Sequence, residues 1–236
     1  MGLHTNTGAI VHYEAIFFDF DGVLADSVEV KTRAFAKLFE PYGPEVVTQV
    51  VDHHRRHGGM ARVEKFRHYY NEYLRKTLND AEIVDLCQRF SKLVVDKVVA
   101  APEIQGAEEF LKRWCRRLPC FVISATPEDE VREIVNRRAL NGYFREVLGT
   151  PSSKESNLRQ LLDKYRLEPA KCLFFGDAES DYRAAQACVV NFLAILPGPE
   201  GHLLKVAPDV QWMRDFSEVT QWLLSDNLQC FKTFIT

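Results

Sequence analysis

Short, nearly continuous apolar runs recur along the chain, each closed by small or acidic residues and followed by a helical pattern. They are Ala15-Ile16-Phe17-Phe18, Phe121-Val122-Ile123, Cys172-Leu173-Phe174-Phe175 and Val189-Val190-Asn191-Phe192-Leu193-Ala194-Ile195. Apolar strands without polar alternation, spaced by helices, predict a parallel sheet covered on both faces, a doubly wound α/β fold. A fifth strand is predicted around Phe144 to Leu148, and a helix from Ser153 to about Tyr165. Between Ser27 and about Ala100 the alternation stops and only helical periodicity remains. One helix is predicted from Val28 to Phe39, stopped by Pro41 and Gly43, and a second from Pro44 to His57, ended by Gly58-Gly59. A third starts near Ala61, with Phe66, Tyr69, Tyr70, Tyr73 and Leu74 on one face. A fourth covers Asp80 to Val98, with Asn79 or Asp80 as its cap. These aromatics read as the core of a helical bundle. The block lies directly after the first strand, so residues 27–100 are expected to form an inserted all-helical domain. Residues 1–26 and 101–236 are expected to form the α/β core.

Composition narrows the classes. Of 236 residues, 46% are hydrophobic and 27% charged, and the net charge is −3. That is an ordinary globular balance with no global drive toward nucleic acid or an anionic membrane. No apolar run approaches the roughly 20 residues that span a bilayer. The stretch from Met1 to Val11 is polar and lacks the layout of a signal peptide. The six cysteines (Cys87, Cys115, Cys120, Cys172, Cys188, Cys230) form no C-x-x-C pair and no zinc spacing. Several lie in apolar stretches and are expected to be buried thiols, a pattern that fits a cytoplasmic protein better than a disulfide scaffold.

In open α/β sheets, ligands bind beyond the carboxyl ends of the strands, so the residues after each run carry the chemistry. Asp19 and Asp21 follow the first run, with Gly22 next to them. A bare carboxylate in an apolar setting is costly unless it is paired or bound to a metal. The pair therefore reads as a divalent-cation site with one carboxylate free to react, against the plainer reading of a solvated Asp-Gly turn. Ser124 follows the second run and is placed to hold a phosphate with the helix start behind it. Thr126 and Pro127 read as the cap and first position of that helix. Gly176, Asp177 and Asp181 follow the third run and repeat the acidic pattern on a neighbouring strand. Together with the first pair they offer the oxygen ligands that Mg²⁺ prefers. Asp177 is the better direct ligand, and Asp181 lies one helical turn on, placed to hold a metal-bound water or to orient a lysine. Lys154, opening the helix that leads back into the third run, is the cation best placed to balance these charges. Lys164 and Lys171 fall at the wrong end of the sheet.

At this point the chain resembles the haloacid dehalogenase superfamily, from Tyr13 to about Leu224. Asp19-Phe20-Asp21-Gly22-Val23-Leu24, Ser124, Lys154, and Gly176-Asp177 through Asp181 look like its four motifs in order. The helical insertion looks like the family's cap placed after motif one, as in its phosphoglycolate phosphatase and beta-phosphoglucomutase-like branch. One departure is Glu155, where members often carry Pro or Gly after the lysine. The resemblance implies a Rossmann-like core and phosphoryl transfer through an aspartyl-phosphate. Asp19 would be the nucleophile and Asp21 the general acid and base. Mg²⁺ would be held by Asp19, the Asp21 backbone carbonyl and Asp177, with Asp181 alongside. Ser124 and Lys154 would grip the phosphoryl oxygens. Asp21 argues against haloacid dehalogenation and phosphonate cleavage, whose family enzymes lack it. A phosphatase acting on a small phosphorylated metabolite is the leading expectation. A beta-phosphoglucomutase-like phosphomutase sharing every core residue, and a catalytically idle interaction module, are the alternatives.

Between the second and third helices, the Gly-Gly break carries His57, Arg62 and Lys65, which could meet a second anionic group on the substrate such as a carboxylate. The plainer reading is a solvated basic helix end favoured by the helix dipole. Neither a nucleic-acid nor a membrane partner is expected. The assembly is expected to be a monomer or homodimer, and the tail from Asn227 to Thr236, with Phe231, Phe234 and Ile235, could pack on the core or on a partner.

Overall fold

The computed structural model describes residues 13–224. The tail from Asn227 and the stretch from Met1 to Val11 lie outside the described residues. Among those described, β1 (Ala15–Phe18), β2 (Cys120–Pro127), β3 (Glu146–Thr150), β4 (Cys172–Gly176), β5 (Asn191–Ile195) and β6 (Trp212–Met213) form one sheet in the order β3-β2-β1-β4-β5-β6. Every pairing is parallel. The first strand is central: Phe17 sits opposite Phe121 on one side and Phe174 on the other. All four residues of β1 are fully buried. The chain order reverses at β1, so the carboxyl ends of β1, β2 and β4 flank a topological switch point.

The sheet is covered on both faces. Phe17, Phe121 and Phe174 pack against Leu158 and Leu161 of α7 (Lys154–Tyr165) and Ala184 and Ala185 of α8 (Glu179–Ala187). On the other face, Ile16, Phe18 and Phe175 pack with Phe110 of α5 (Ala107–Trp114) and Phe216 of α10 (Phe216–Leu224). Val131, Ile134 and Val135 of α6 (Glu128–Arg137) join that second cluster. The short α9 (His202–Val206) packs beside α8.

Residues between β1 and α5 form α1 (Val28–Phe39), α2 (Pro44–Arg56), α3 (Arg62–His68) and α4 (Asp80–Ala100). Their apolar faces meet in an aromatic cluster in which Phe35 lies 4.4 Å from Phe90 and 5.5 Å from Phe66, ring centre to ring centre. Such pairs contribute beyond the area they bury. Asn79 and Glu82 close a reciprocal capping box at the start of α4. The chain enters and leaves this helical block side by side: Asp26 N–H donates to Pro102 O (2.9 Å), and Ala25 bridges Glu103. Arg138 Nη1 donates to the carbonyls of Val98, Val99 and Ala101, tying the end of α4 to the segment after α6.

Several elements differ from the hydrophobic pattern. The strand expected at Phe144 to Leu148 runs from Glu146 to Thr150, and β6 was not foreseen because its two half-buried residues give too short a signal. The fourth run begins its strand only at Asn191. Val189 turns with φ 58° and stands exposed, while Val190 N–H closes back onto Ala185 O (2.9 Å) at the end of α8. The third helix widens into a π-turn at Tyr69–Tyr73. Cys115 and Cys120 form a disulfide with Cα atoms 5.5 Å apart, where thiols were expected. The turn between α5 and β2 brings the two together, and a five-residue spacing carries no such signal in the sequence. Cys87, Cys172 and Cys188 are free, and burial raises the thiol pKa of each. No helix among the described residues is long and apolar enough to cross a membrane.

Candidate active site

The sheet's own hydrogen bonding sets Asp19 in place. Its N–H donates to Phe175 O (2.9 Å), continuing the β1–β4 ladder one residue past the strand. The carboxylate is buried: Oδ1 accepts from Phe20 N–H (2.6 Å) and Oδ2 from Lys154 Nζ (2.7 Å). Lys154 is the first residue of α7, whose N-cap Ser153 accepts from Ser156 N–H (3.1 Å). The same ammonium donates to Asp181 Oδ1 (2.5 Å), while Asp181 Oδ2 accepts from Ala178 N–H (3.1 Å). Asp181 is fully buried and spends both oxygens on these contacts, so it orients the lysine.

Asp177 completes the group. One oxygen from each of Asp19, Asp177 and Asp181 lies within 4.8 Å of the others. Burial, then repulsion from Asp181 and Asp21, outweighs the pull of Lys154 and pushes Asp19 up to about 7. Burial, then Asp19 and Asp181, raises Asp177 well above the carboxylate range. Burial opposes the charge on Lys154, yet Asp181 and Asp19 together raise its pKa further. Three crowded carboxylates with one shared lysine fit a hard divalent cation, because oxygen donors are abundant and the negative charge is under-compensated. Gly22, with φ 79°, makes this approach possible: a Cβ there would lie 2.3 Å from Asp177 Oδ2. Gly22→Ala is expected to cost about 1–3 kcal/mol for the forced backbone alone. It should also displace Asp177, lowering the unfolding midpoint and turnover together in paired thermal and kinetic assays.

Asp21 sits in the opposite electrostatic state. Burial alone would raise it, but Lys31, then Ser27 and Thr126, hold it below the ordinary carboxylate value. Ser27 Oγ donates to Oδ1 (2.6 Å), and Lys31 Nζ donates to Oδ2. Lys31 also donates to Thr126 Oγ1 (2.7 Å), which reaches Asp21 Oδ2 at 3.3 Å. Thr126 is thus not a helix cap: β2 extends through Pro127, and Pro127 itself precedes α6. Ser27 and Lys31 have no site role in the sequence pattern, and Thr126 has only that of a cap. The one available signal was that Ser27 and Lys31 stand a turn apart at the start of α1, on the face that meets the strand ends.

Ser124 is buried and accepts from Thr126 N–H (3.1 Å). It lines a small cavity of about 50 Å³ with Asp19, Asp21, Asp177, Lys31, His54, Arg62 and Lys65. A wider groove of about 460 Å³ adjoins it along Gly58–Met60 and Ser124, and is lined by Lys154, His57 and Thr150 to Ser153. Of the basic residues singled out in the helical block, Lys65 and Arg62 reach the cavity. His57 faces the groove, stacked on His53 at 4.1 Å with Nδ1 near His53 O (3.0 Å). Arg62 is already engaged: its guanidinium holds both oxygens of Glu130 on α6, Nη1 to Oε2 at 2.9 Å, and donates to Ser91 Oγ (2.8 Å). Lys164 and Lys171 lie elsewhere, paired with Glu146 and Glu168.

A parallel sheet with acidic turns converging at its switch point, below an inserted helical block, defines a hydrolase class by fold and site. A family model for haloacid dehalogenase-like hydrolases matches residues 13–188, and the chain belongs to that family. It is 29% identical over 194 residues to a phosphoglycolate phosphatase of Aliivibrio fischeri, covering 78% of this chain and 84% of that protein. It is 27% identical over 193 residues to a phosphorylated carbohydrates phosphatase of Thermotoga maritima, covering 75% of this chain and 82% of that protein. Among solved structures, a predicted phosphatase from Clostridium acetobutylicum shares the fold, with a TM-score of 0.71 at 19% identity over 90% of this chain and 99% of that one.

Proposed function

We propose that the chain is a Mg²⁺-dependent phosphoric monoester hydrolase acting on a small phosphorylated metabolite through an aspartyl-phosphate at Asp19. The observation that carries the reading is the split between two carboxylates two residues apart. Asp19 is crowded by acids and held by Lys154, while Asp21 is held by Lys31, Ser27 and Thr126. Groups whose surroundings push their proton affinities apart take different roles in acid–base and nucleophilic chemistry. Relatives named phosphatases, aligned over three quarters of the chain, support hydrolysis over phosphoryl exchange within a mutase.

In this reading Asp19 attacks phosphorus and the bond to the leaving alcohol oxygen breaks. Asp21 gives that oxygen its proton. The incoming phosphoryl group raises the proton affinity of Asp21, which takes that proton from solvent as the substrate binds, while Lys31 at Oδ2 holds the carboxyl group in place. A water then attacks the aspartyl-phosphate, gives its proton to Asp21, and releases phosphate with Asp19 restored. Lys154 and Ser124 hold phosphoryl oxygens during both steps. When bound by Asp19, Asp177 and the Asp21 backbone carbonyl, Mg²⁺ supplies neutralisation of the crowded negative charge. The helical block would act as the cap that shuts water out of the cavity.

Two measurements test the reading. Phosphate release from a panel of phosphate monoesters should require Mg²⁺; release that ignores a chelator would sink it. The thermal shift on adding Mg²⁺ should grow with pH. Asp19 is pushed by burial up to about 7, above the ordinary carboxylate range, so its stabilising contribution is fully present below about 4 and lost as pH rises through 7. The cation needs the deprotonated ligands and offsets that loss, so the shift should be small at pH 5.5 and clear at pH 8.

A further inference from the structure

The two helices that flank the Gly58–Gly59 turn are joined through histidine rings. His53, near the end of α2, is 6% exposed and lies face to face with two others. One is His57 on its own helix, with ring centres 4.1 Å apart and planes at 22°. The other is His68 at the end of α3, at 4.2 Å and 26°. The Nδ1 atom of His53 stands 3.3 Å from the hydroxyl of the buried Tyr69.

The stack continues into the turn. The backbone N–H and the ring Nδ1 of His57 both donate to His53 O at 3.0 Å. Met60 N–H donates to His57 O (3.1 Å), and Lys65 Nζ to Gly58 O (3.2 Å). On its other side the turn lies flush on the start of α8, where a Cβ on Gly59 would meet Ser180 Oγ at 1.8 Å. Gly58, Gly59 and Met60 line both the small cavity and the wider groove, so this wall is only as firm as the turn.

Such packing leaves no place for a proton on His53. From α2 it meets Arg56 and His57, with His54 packed inward against Phe35 at 4.9 Å and Asp52 exposed. From α3 it meets Lys65 and His68, and from the π-turn Tyr69, with Tyr73 stacked behind. Beyond His57 lie His202 of α9, 6.2 Å away, and Glu179, which His202 meets at 3.5 Å. The titratable groups that bear most on His53 are all bases. No carboxylate among the described residues stands at ion-pair distance from it. Burial, then His57 and His68, brings His53 down to about 3. An opening that lets the ring reach water restores its ordinary value of about 6.5. The contribution of the stack is therefore full above about 6.5 and is lost as pH falls toward 3.

We propose that the His57–His53–His68 stack is an acid-sensitive brace: a proton on His53 parts the rings, frees the Gly58–Met60 turn and opens the wall of the cavity. Histidine is the side chain whose charge changes in this range. The brace is a property of the helical block and does not depend on the phosphatase reading above.

Hydrogen exchange of the wild-type protein at pH 6.5 and pH 5, corrected for the intrinsic exchange rate, tests it. Protection of the His57 and Met60 amides should fall on the order of tenfold between the two, because the opening then takes up close to one proton. Lys65, brought down to about 7 by burial and then Lys31, is mostly charged throughout that window and adds little. Amides of the sheet, Ile16 and Asp19, should keep their protection. His53→Phe leaves a ring between the other two and cannot take a proton, so the fall should vanish in it. Protection that ignores pH, an equal fall in His53→Phe, or a matching fall at Ile16 and Asp19 would overturn the brace. Imidazole ¹⁵N spectra of the wild-type protein need no variant. A neutral His53 ring at pH 5 wherever the turn is protected supports the brace, and a charged ring in a protein whose turn stays protected overturns it.

Discussion

Asp19→Asn is expected to lower turnover by at least about 10⁴-fold, the scale on which an enzyme falls when its nucleophile is removed. The change keeps the shape of the side chain and removes the attacking anion. It also sets an amide against two donors, Phe20 N–H and Lys154 Nζ, where the carboxylate offered an oxygen to each. One of those hydrogen bonds is lost, but Lys154 keeps Asp181 as its counter-ion. Repulsion among Asp19, Asp177 and Asp181 falls at the same time. The fold should therefore survive, and a circular-dichroism melt near that of the wild type would separate lost chemistry from lost structure. Phosphate release at wild-type rates from a folded Asp19→Asn variant would remove Asp19 from the nucleophilic role.

Arg62→Ala is expected to destabilise the protein by about 3–5 kcal/mol, the cost of stranding one partner of a buried ion pair. Arg62 and Glu130 are 6% and 8% exposed, and the pair joins α3 to α6 across the boundary of the helical block. Ser91 on α4 donates to Glu130 Oε2 (2.5 Å) and accepts from Arg62, so one contact links three helices. Without the guanidinium, Glu130 keeps one hydroxyl donor for a buried charge. The double variant Arg62→Met with Glu130→Leu should recover much of the loss, because neither charge is then left behind. Exposed pairs such as Arg89–Asp85 should give about 0–1 kcal/mol in the same assay. Urea unfolding of both single variants and the double variant checks this, and a cost below 1 kcal/mol for Arg62→Ala would refute a buried pair.

The sequence by itself determined the parallel α/β class, the helical block after β1 and the placing of Asp19, Asp21, Ser124 and Asp177 at strand ends. These follow from local regularities. An apolar run of four marks a strand buried on both faces, as at Ala15–Phe18, and 3.6-residue spacing marks a helix, as at Val28–Phe39. A carboxylate just after such a run must lie at the carboxyl edge of the sheet, whatever the rest of the chain does. The tertiary structure decided which charges meet. Lys154 reaches Asp19 across 135 residues, Lys31 reaches Thr126 across 95, and Arg62 finds Glu130 across 68. Arg62 and Lys65 stand three residues apart on one helix, yet one is bound to the protein's own carboxylate and the other to a histidine. The Cys115–Cys120 bond and the turn at Val189 were decided in the same way. The physical reason is that periodicity reports which face of an element is buried, whereas a partner depends on where distant elements pack, and no spacing within one segment records that.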